Sequence, residues 1–192
     1  MSSTVEGFSL SHAGILNGTT GAEEAGGDIY GIRSGSLELD QDSYDNTGDD
    51  AILSTWFWAN KVNVTIQAGY ISFATWSLMS GSKIKSSGSA ATGTFEMPLW
   101  EDRQMNTVAR PMLLRIPSKD MEGNIRELDI VLYKVQFQPI NFEGPSYKEG
   151  LLVNYNGSAL KSTVDEKGQP VVDSVTGQPT SSYGKIISRV KA

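Results

Sequence analysis

Glu38, Asp40 and Asp42 occupy alternate positions in Ser36-Leu37-Glu38-Leu39-Asp40-Gln41-Asp42. In an extended strand alternate residues face one side, about 7 Å apart. Like charges that close repel, so an isolated sheet gains nothing from such a row beyond a solvated face. A surface that must not adhere to a polyanion does gain from it. The acidity is also local: residues 1–60 hold ten carboxylates and the single cation Arg33, a balance of −9, whereas residues 61–192 balance to +3, giving −6 overall.

Other reactive residue types are sparse. Cysteine is absent, which removes disulfides, thiolate metal sites and thiol nucleophiles. The one histidine, His12, lies in a Gly/Ser/Thr-rich stretch, and any Ser-His-Asp relay has to depend on it. No G-x-S-x-G elbow, H-E-x-x-H pair, P-loop or dinucleotide glycine fingerprint occurs. The acid-rich run from Asp40 to Asp50 fails the calcium-loop rule, because the sixth and twelfth positions counted from Asp40 are Asp45 and Ala51 rather than Gly and Glu. The expectation is a non-enzyme with no metal and no cofactor. Asn17-Gly18-Thr19, Asn63-Val64-Thr65 and Asn156-Gly157-Ser158 match the glycosylation sequon by chance, on the reading that Met1–Glu6 lacks the basic and apolar regions of a secretory leader. Trp56, Trp58, Trp76 and Trp100 read as core or interface packing before they read as a sugar-stacking platform.

A chain of 192 residues, 39% hydrophobic and 20% charged, suits one globular domain with a full core. Apolar runs fall far short of the roughly 20 residues that span a bilayer, so no membrane is expected. The acidic balance argues against nucleic acid as an adhering partner but not as a passing one.

These residues have to be positioned mostly by strands. Residues 1–28 read as a flexible N-terminal arm rather than core. Ile29–Gln41 reads as a strand broken at Gly31 and Gly35, Asp42–Asp50 as a loop, and Lys61–Gln67 as a half-buried strand with Asn63, Thr65 and Gln67 on its polar side. Ser72–Gly81 fits one short helix, capped by Ser72 and closed by Gly81. Thr94–Leu99, Met112–Ile116, Arg126–Pro139, Leu151–Leu160 and Tyr183–Val190 are strands. Val131, Tyr133, Val135 and Phe137 are expected on one face of theirs. Turns fall at Asp165–Gly168 and Thr176–Pro179, inside a loop or hairpin extension over 164–182. The class is mostly β, a sandwich or barrel with about one short flanking helix.

Two blocks go further. The first is Asp45-Asn46-Thr47-Gly48-Asp49-Asp50-Ala51-Ile52-Leu53-Ser54-Thr55-Trp56-Phe57-Trp58, continuing from Val62 to Phe73. The second runs from Leu128 to Ile140 and from Tyr147 to Leu160. Together they resemble the major tail proteins, or tail tube proteins, of long-tailed phages, most of all those infecting actinobacteria. The resemblance implies a β-sandwich-like subunit with no catalytic residues, assembled with copies of itself as hexameric rings stacked into a hollow tube. It implies a tape-measure protein, tail terminator and tail-tip proteins as partners, and DNA passing through the lumen without sequence-specific binding. The place is the virion tail, assembled in the host cytoplasm. On this view Glu38, Asp40, Asp42, Asn63, Thr65 and Gln67 face the lumen. Residues 42–55 form an inter-subunit loop, with Asp45, Asn46, Asp49, Asp50, Ile52 and Leu53, and Trp56 and Phe57 beside it, as its contacts. The alternatives are the tube of a contractile injection apparatus or a secreted ring, and a carbohydrate-binding or adhesive β-module.

Overall fold

The computed structural model describes residues 10–48, 51–70, 72–83, 85–87, 94–96, 108–119, 125–138, 141–146 and 150–190. Among them are eleven strands and one helix: β1 (His12–Leu16), β2 (Glu23–Asp28), β3 (Ile32–Gly48), β4 (Ala51–Ala68), α1 (Phe73–Ser80), β5 (Lys85–Ser87), β6 (Thr94–Glu96), β7 (Ala109–Lys119), β8 (Ile125–Phe137), β9 (Asn141–Ser146), β10 (Gly150–Ala159) and β11 (Gly184–Val190). The fold is mostly β. Nine strands make one antiparallel sheet in the order β2-β1-β7-β8-β10-β4-β3, with β11 also paired to β8 and β9 to β10, while β5 and β6 pair apart.

The sheet closes over its own apolar face. Ala13 and Ile15 near one end share a buried cluster with Val64 and Ile66 near the other, together with Met112, Leu114, Val135, Val153 and Tyr155. Leu10 reaches Gly35 of β3, where an added Cβ would lie 2.0 Å from its Cδ1. The fold-over is set in β8. Its partners change from β11 along Arg126–Leu132 to β10 along Val135–Phe137. Opposite that change stands Pro111, which has no amide to give the ladder, and the register jumps from Met112↔Leu132 to Arg110↔Val135. The extra residue bulges β8 and bends it. The bulged backbone bonds elsewhere, with Tyr133 N donating to Tyr183 O at 3.0 Å and Leu160 N donating to Lys134 O at 2.9 Å.

That bulge overturns the expected face of β8. Leu132, Val135 and Phe137 enter the main core, whereas Val131 and Tyr133 join a separate cluster on the outer face with Leu16, Leu113 and Ile187. The same outer face carries Asp129, fully buried under Arg115 and Arg189. Arg115 Nε donates to its Oδ1 at 2.7 Å, and Arg189 Nη2 lies 3.1 Å from its Oδ2. A carboxylate removed from water requires such partners, and these come from β7 and β11 on either side.

The helix has the expected ends: Ser72 Oγ accepts from Thr75 N, and Gly81 adopts φ 73° and donates to Ser77 O. It packs on β2, where Thr75 Oγ1 contacts the carbonyls of Gly26 and Asp28 at 2.9 and 2.8 Å. The reading of residues 1–28 as loop is corrected. Residues 12–16 and 23–28 are paired strands with Ala13, Ile15 and Leu16 buried, and residues 1–9 lie outside the described part. Segment 161–183 is a chain of tight turns joined by the bridges Ser162↔Ser182, Val164↔Pro170 and Val172↔Pro179. It is pinned to β11 by buried Glu166, 2.5 Å from Lys185 Nζ. Burial pulls the Lys185 amine downward, but its hydrogen bond to Glu166 and that carboxylate's charge prevail and hold it above its ordinary range.

Gly184 opens β11 against β8, where a Cβ would sit 2.1 Å from the Val131 carbonyl oxygen. Gly184→Ala therefore displaces backbone and should destabilise the protein by about 1–3 kcal/mol, read as a lowered urea midpoint; an unchanged midpoint contradicts this packing.

Candidate functional site: a polar sheet face continuing into an aromatic ribbon

One face of β3, β4 and β10 is covered with polar side chains in paired rows. Across β3 and β4 the partners are Ser34↔Gln67, Ser36↔Thr65, Glu38↔Asn63 and Asp40↔Lys61. Across β4 and β10 they continue as Gln67↔Asn154, Thr65↔Asn156 and Asn63↔Ser158, and Gln136 of β8 stands beyond Ser158. Intervening residues on these strands, Val64, Ile66, Val153, Tyr155 and Ala159, face the core. The strict period of two therefore separates a dry face from a wet one across three strands. Burial pushes the phenol of Tyr155 up to about 12, and its hydroxyl donates to Tyr70 O at 3.2 Å.

The polar rows are tied laterally. Gln67 Nε2 donates to Asn154 Oδ1 at 3.3 Å, and Ser158 Oγ donates to Asn63 Oδ1 at 3.4 Å. Lys61 is the cation within these rows, and its Nζ lies 3.9 Å from Asp40 Oδ2 with both side chains over 40% exposed, so the pair is solvated and weak. Two carboxylates 7 Å apart in water repel by only about 0.6 kcal/mol, so the fold tolerates the acidic row. Such a face bonds water and repels anions.

Glu38, Asp40, Asn63, Thr65 and Gln67 are thus brought together, as the alternation indicates, and Asp42 follows on the same side of β3. Sequence reasoning missed Asn154, Asn156, Ser158 and Gln136. The signal was present in the alternation Val153-Asn154-Tyr155-Asn156, but strand order, which places β10 beside β4, is not written in local pattern. Gln136 of β8 borders this face, whereas its neighbour Lys134 is turned elsewhere. Lys134 instead lines a cavity of about 410 Å³ with Pro111, Tyr133, Lys161 and Asp165.

The expected loop over residues 42–55 is corrected as well. β3 and β4 stay paired from Asp42↔Trp58 to Gly48↔Ala51, well past Val62, the last β4 residue paired with β10. Residues 41–48 and 51–59 are thus a two-stranded ribbon extending beyond the third strand. Asn60 is a bulged residue at its base, with Nδ2 donating to Asp42 Oδ2 at 2.8 Å. Tyr183 braces the base by donating to Ala59 O at 2.6 Å. Asp42, Tyr44, Trp56 and Trp58 share the ribbon face that continues the polar rows. Tyr44, Trp56 and Trp58 are 61%, 67% and 47% exposed, so core packing is excluded for these two tryptophans, whereas Trp76 is in the core. On the reverse face Thr55 Oγ1 donates to Asp45 Oδ1 at 2.7 Å. Asn46, Ile52, Leu53 and Phe57 lie within these paired strands, and Asp49 and Asp50 lie outside the described residues.

Among the described residues no helix is long and apolar enough to cross a membrane. No protein-family model matches this chain, and no curated protein matches it in sequence.

The exposure difference among tryptophans yields a direct test. Trp56→Ala combined with Trp58→Ala should shift the unfolding free energy of the isolated chain by no more than about 0.5–1 kcal/mol, whereas Trp76→Ala should cost about 3–5 kcal/mol. Equal losses in urea titrations contradict an uncovered ribbon.

Proposed function

We propose that this chain is the subunit of a phage tail tube, in which copies form stacked hexameric rings whose lumen is lined by the polar face of β3, β4 and β10. The observation that carries the reading is the register that sets Glu38 and Asp40 beside Asn63, Thr65, Asn156 and Ser158 on one uncovered sheet face. Duplex DNA adheres through lysines and arginines that neutralise phosphates. A wall of amides, hydroxyls and carboxylates gives it no hold, and at about 8 Å screening length only charges at that wall act strongly on it. Strand β3 has β4 on one side and no strand on its other edge among the described residues. In a ring, neighbouring copies continue the sheet there and remove the exposed edge. The aromatic ribbon supplies a protruding contact for a neighbouring copy, in keeping with the exposure of large apolar side chains at interfaces. The two sequence blocks that resemble tail tube proteins take in most of β4 and β8, all of β10 and the end of β3 from Asp45.

Negative-stain microscopy of concentrated protein should show rings or tubes of uniform width, and dispersed monomers at all concentrations overturn the reading. Glu38→Lys with Asp40→Lys should leave the fold intact while slowing DNA ejection from otherwise normal particles, most at low salt. Ejection at the parental rate across low and moderate salt contradicts the electrostatic role.

One observation favours a second reading. Tyr44, Trp56 and Trp58 form an exposed aromatic strip beside Asp42, an arrangement on which sugar rings stack. A carbohydrate-binding module predicts saturable oligosaccharide binding by monomers, lost in Trp56→Ala; a tube subunit predicts loss of assembly in the same variant.

A further inference from the structure

We propose that His12, Glu23 and Asp28 form a three-ligand site for a divalent transition metal, zinc in the first instance, that clamps the β1–β2 hairpin. The site lies on the outer face of the sheet, far in register from the polar rows, and does not depend on the tube reading. His12 and Gly14 alternate with buried Ala13 and Ile15, so both face outward. Asp28 is the cross-strand partner of Gly14, and Glu23 that of Leu16. His12 Nε2 lies 2.9 Å from Glu23 Oε1 and 3.9 Å from Asp28 Oδ1, and all three donor atoms fall within 4.8 Å of one another. Donors around a tetrahedral zinc are separated by about 3.3 Å, given bonds of about 2.0–2.1 Å. The observed spacings bracket that value.

Two further observations point to an ion rather than to a hydrogen-bonded triad. Gly14 forms the floor of the cluster. A Cβ there would lie 3.3 Å from His12 Nε2, 3.5 Å from Glu23 Cδ and 3.6 Å from Asp28 Oδ1, so the missing side chain leaves open the space on which the three groups converge. Asp28 Oδ1 is cut off from solvent and accepts no hydrogen bond, while Tyr30 donates to Oδ2 at 3.0 Å and fixes the carboxylate's orientation. A single imidazole N–H can serve Glu23 but not also an oxygen 3.9 Å away. That leaves Asp28 Oδ1 without a donor, and a divalent cation fills the place. The neighbouring cation, Arg115 on β7 opposite His12, feels the charge of Glu23 but directs its guanidinium to Asp129, to which it donates at 2.7 Å, and lies 3.6 Å from Glu127. Glu24 on the same hairpin accepts from Asn17 Nδ2 at 2.9 Å. Imidazole with two carboxylates suits zinc, cobalt or nickel rather than magnesium or calcium. The ligand side chains are 28%, 38% and 34% exposed, which leaves a coordination position for water.

The test uses tag-free full-length protein titrated with zinc chloride. Calorimetry should show one saturable ion per chain, and His12→Gln and Glu23→Gln should each weaken it at least about tenfold, with Tyr30→Phe weakening it less. Because His12 is the only histidine, the imidazole region of a nitrogen-correlated NMR spectrum holds one spin system, and zinc should shift it at one equivalent in the wild-type chain without any substitution. The wild-type melting temperature should rise with zinc and that of Glu23→Gln should not. No saturable uptake, an unmoved imidazole signal, or uptake unchanged in Glu23→Gln overturns the site.

Discussion

The missing amide of Pro111 is the constraint on which the architecture turns. A proline inside a paired strand leaves one carbonyl of its neighbour without a ladder donor. Here β8 bulges by one residue at that point and sends Tyr133 N to Tyr183 O and Lys134 O to Leu160 N. The bend lets one strand serve both halves of the sheet, with β7 along its length on one side and, on the other, β11 at its start and β10 at its end. Gly157 permits the close crossing at the corner, since a Cβ there would lie 3.1 Å from both Gln136 O and Val135 Cγ1. With the corner made, the apolar faces of β1 and β4 meet, and the polar rows of β3, β4 and β10 are left outside by default.

Much of this was legible in local pattern, and the exceptions have physical reasons. The helix could be read from Ser72 and Gly81 because caps act through their own backbone neighbours. The wet face of β4 could be read from Asn63, Thr65 and Gln67 because strict alternation has no other economical explanation. β1 and β2 could not, since Glu23-Glu24-Ala25-Gly26-Gly27-Asp28 has little strand propensity and is extended because β1 pairs with it and α1 covers it. The far half of β3 is rich in turn formers and stays extended because the aromatic and β-branched residues of β4 pair along it. In β8 the alternation itself misled, because a bulge reverses parity without changing composition.

The candidate site was half visible for the same reason. Residues on one strand declare a shared face, but which strands lie side by side depends on the corner at β8 and β10. Asn154, Asn156 and Ser158 become part of the site only through that adjacency. The tryptophans pose the opposite problem: Trp56 and Trp76 are the same residue type, and only tertiary placement separates them, Trp56 on the ribbon beyond the last β10 pair and Trp76 on the side of α1 packed into the core.

The bulges at the two ends of the ribbon make it a ruler. Asn60 interrupts the register between Asp40 and Gln41, and Leu53 interrupts it again between Asn46 and Thr47. A plain two-stranded ribbon can creep by two residues and still present the same faces, but this one would have to dissolve and rebuild both irregularities at once. Its span from Gln41 to Gly48 is therefore fixed by residue count, at about 3.3 Å per residue or roughly 25 Å. Whatever meets the aromatic strip meets it at one distance from the body of the sheet, and the chemistry of the tip has no say in that distance.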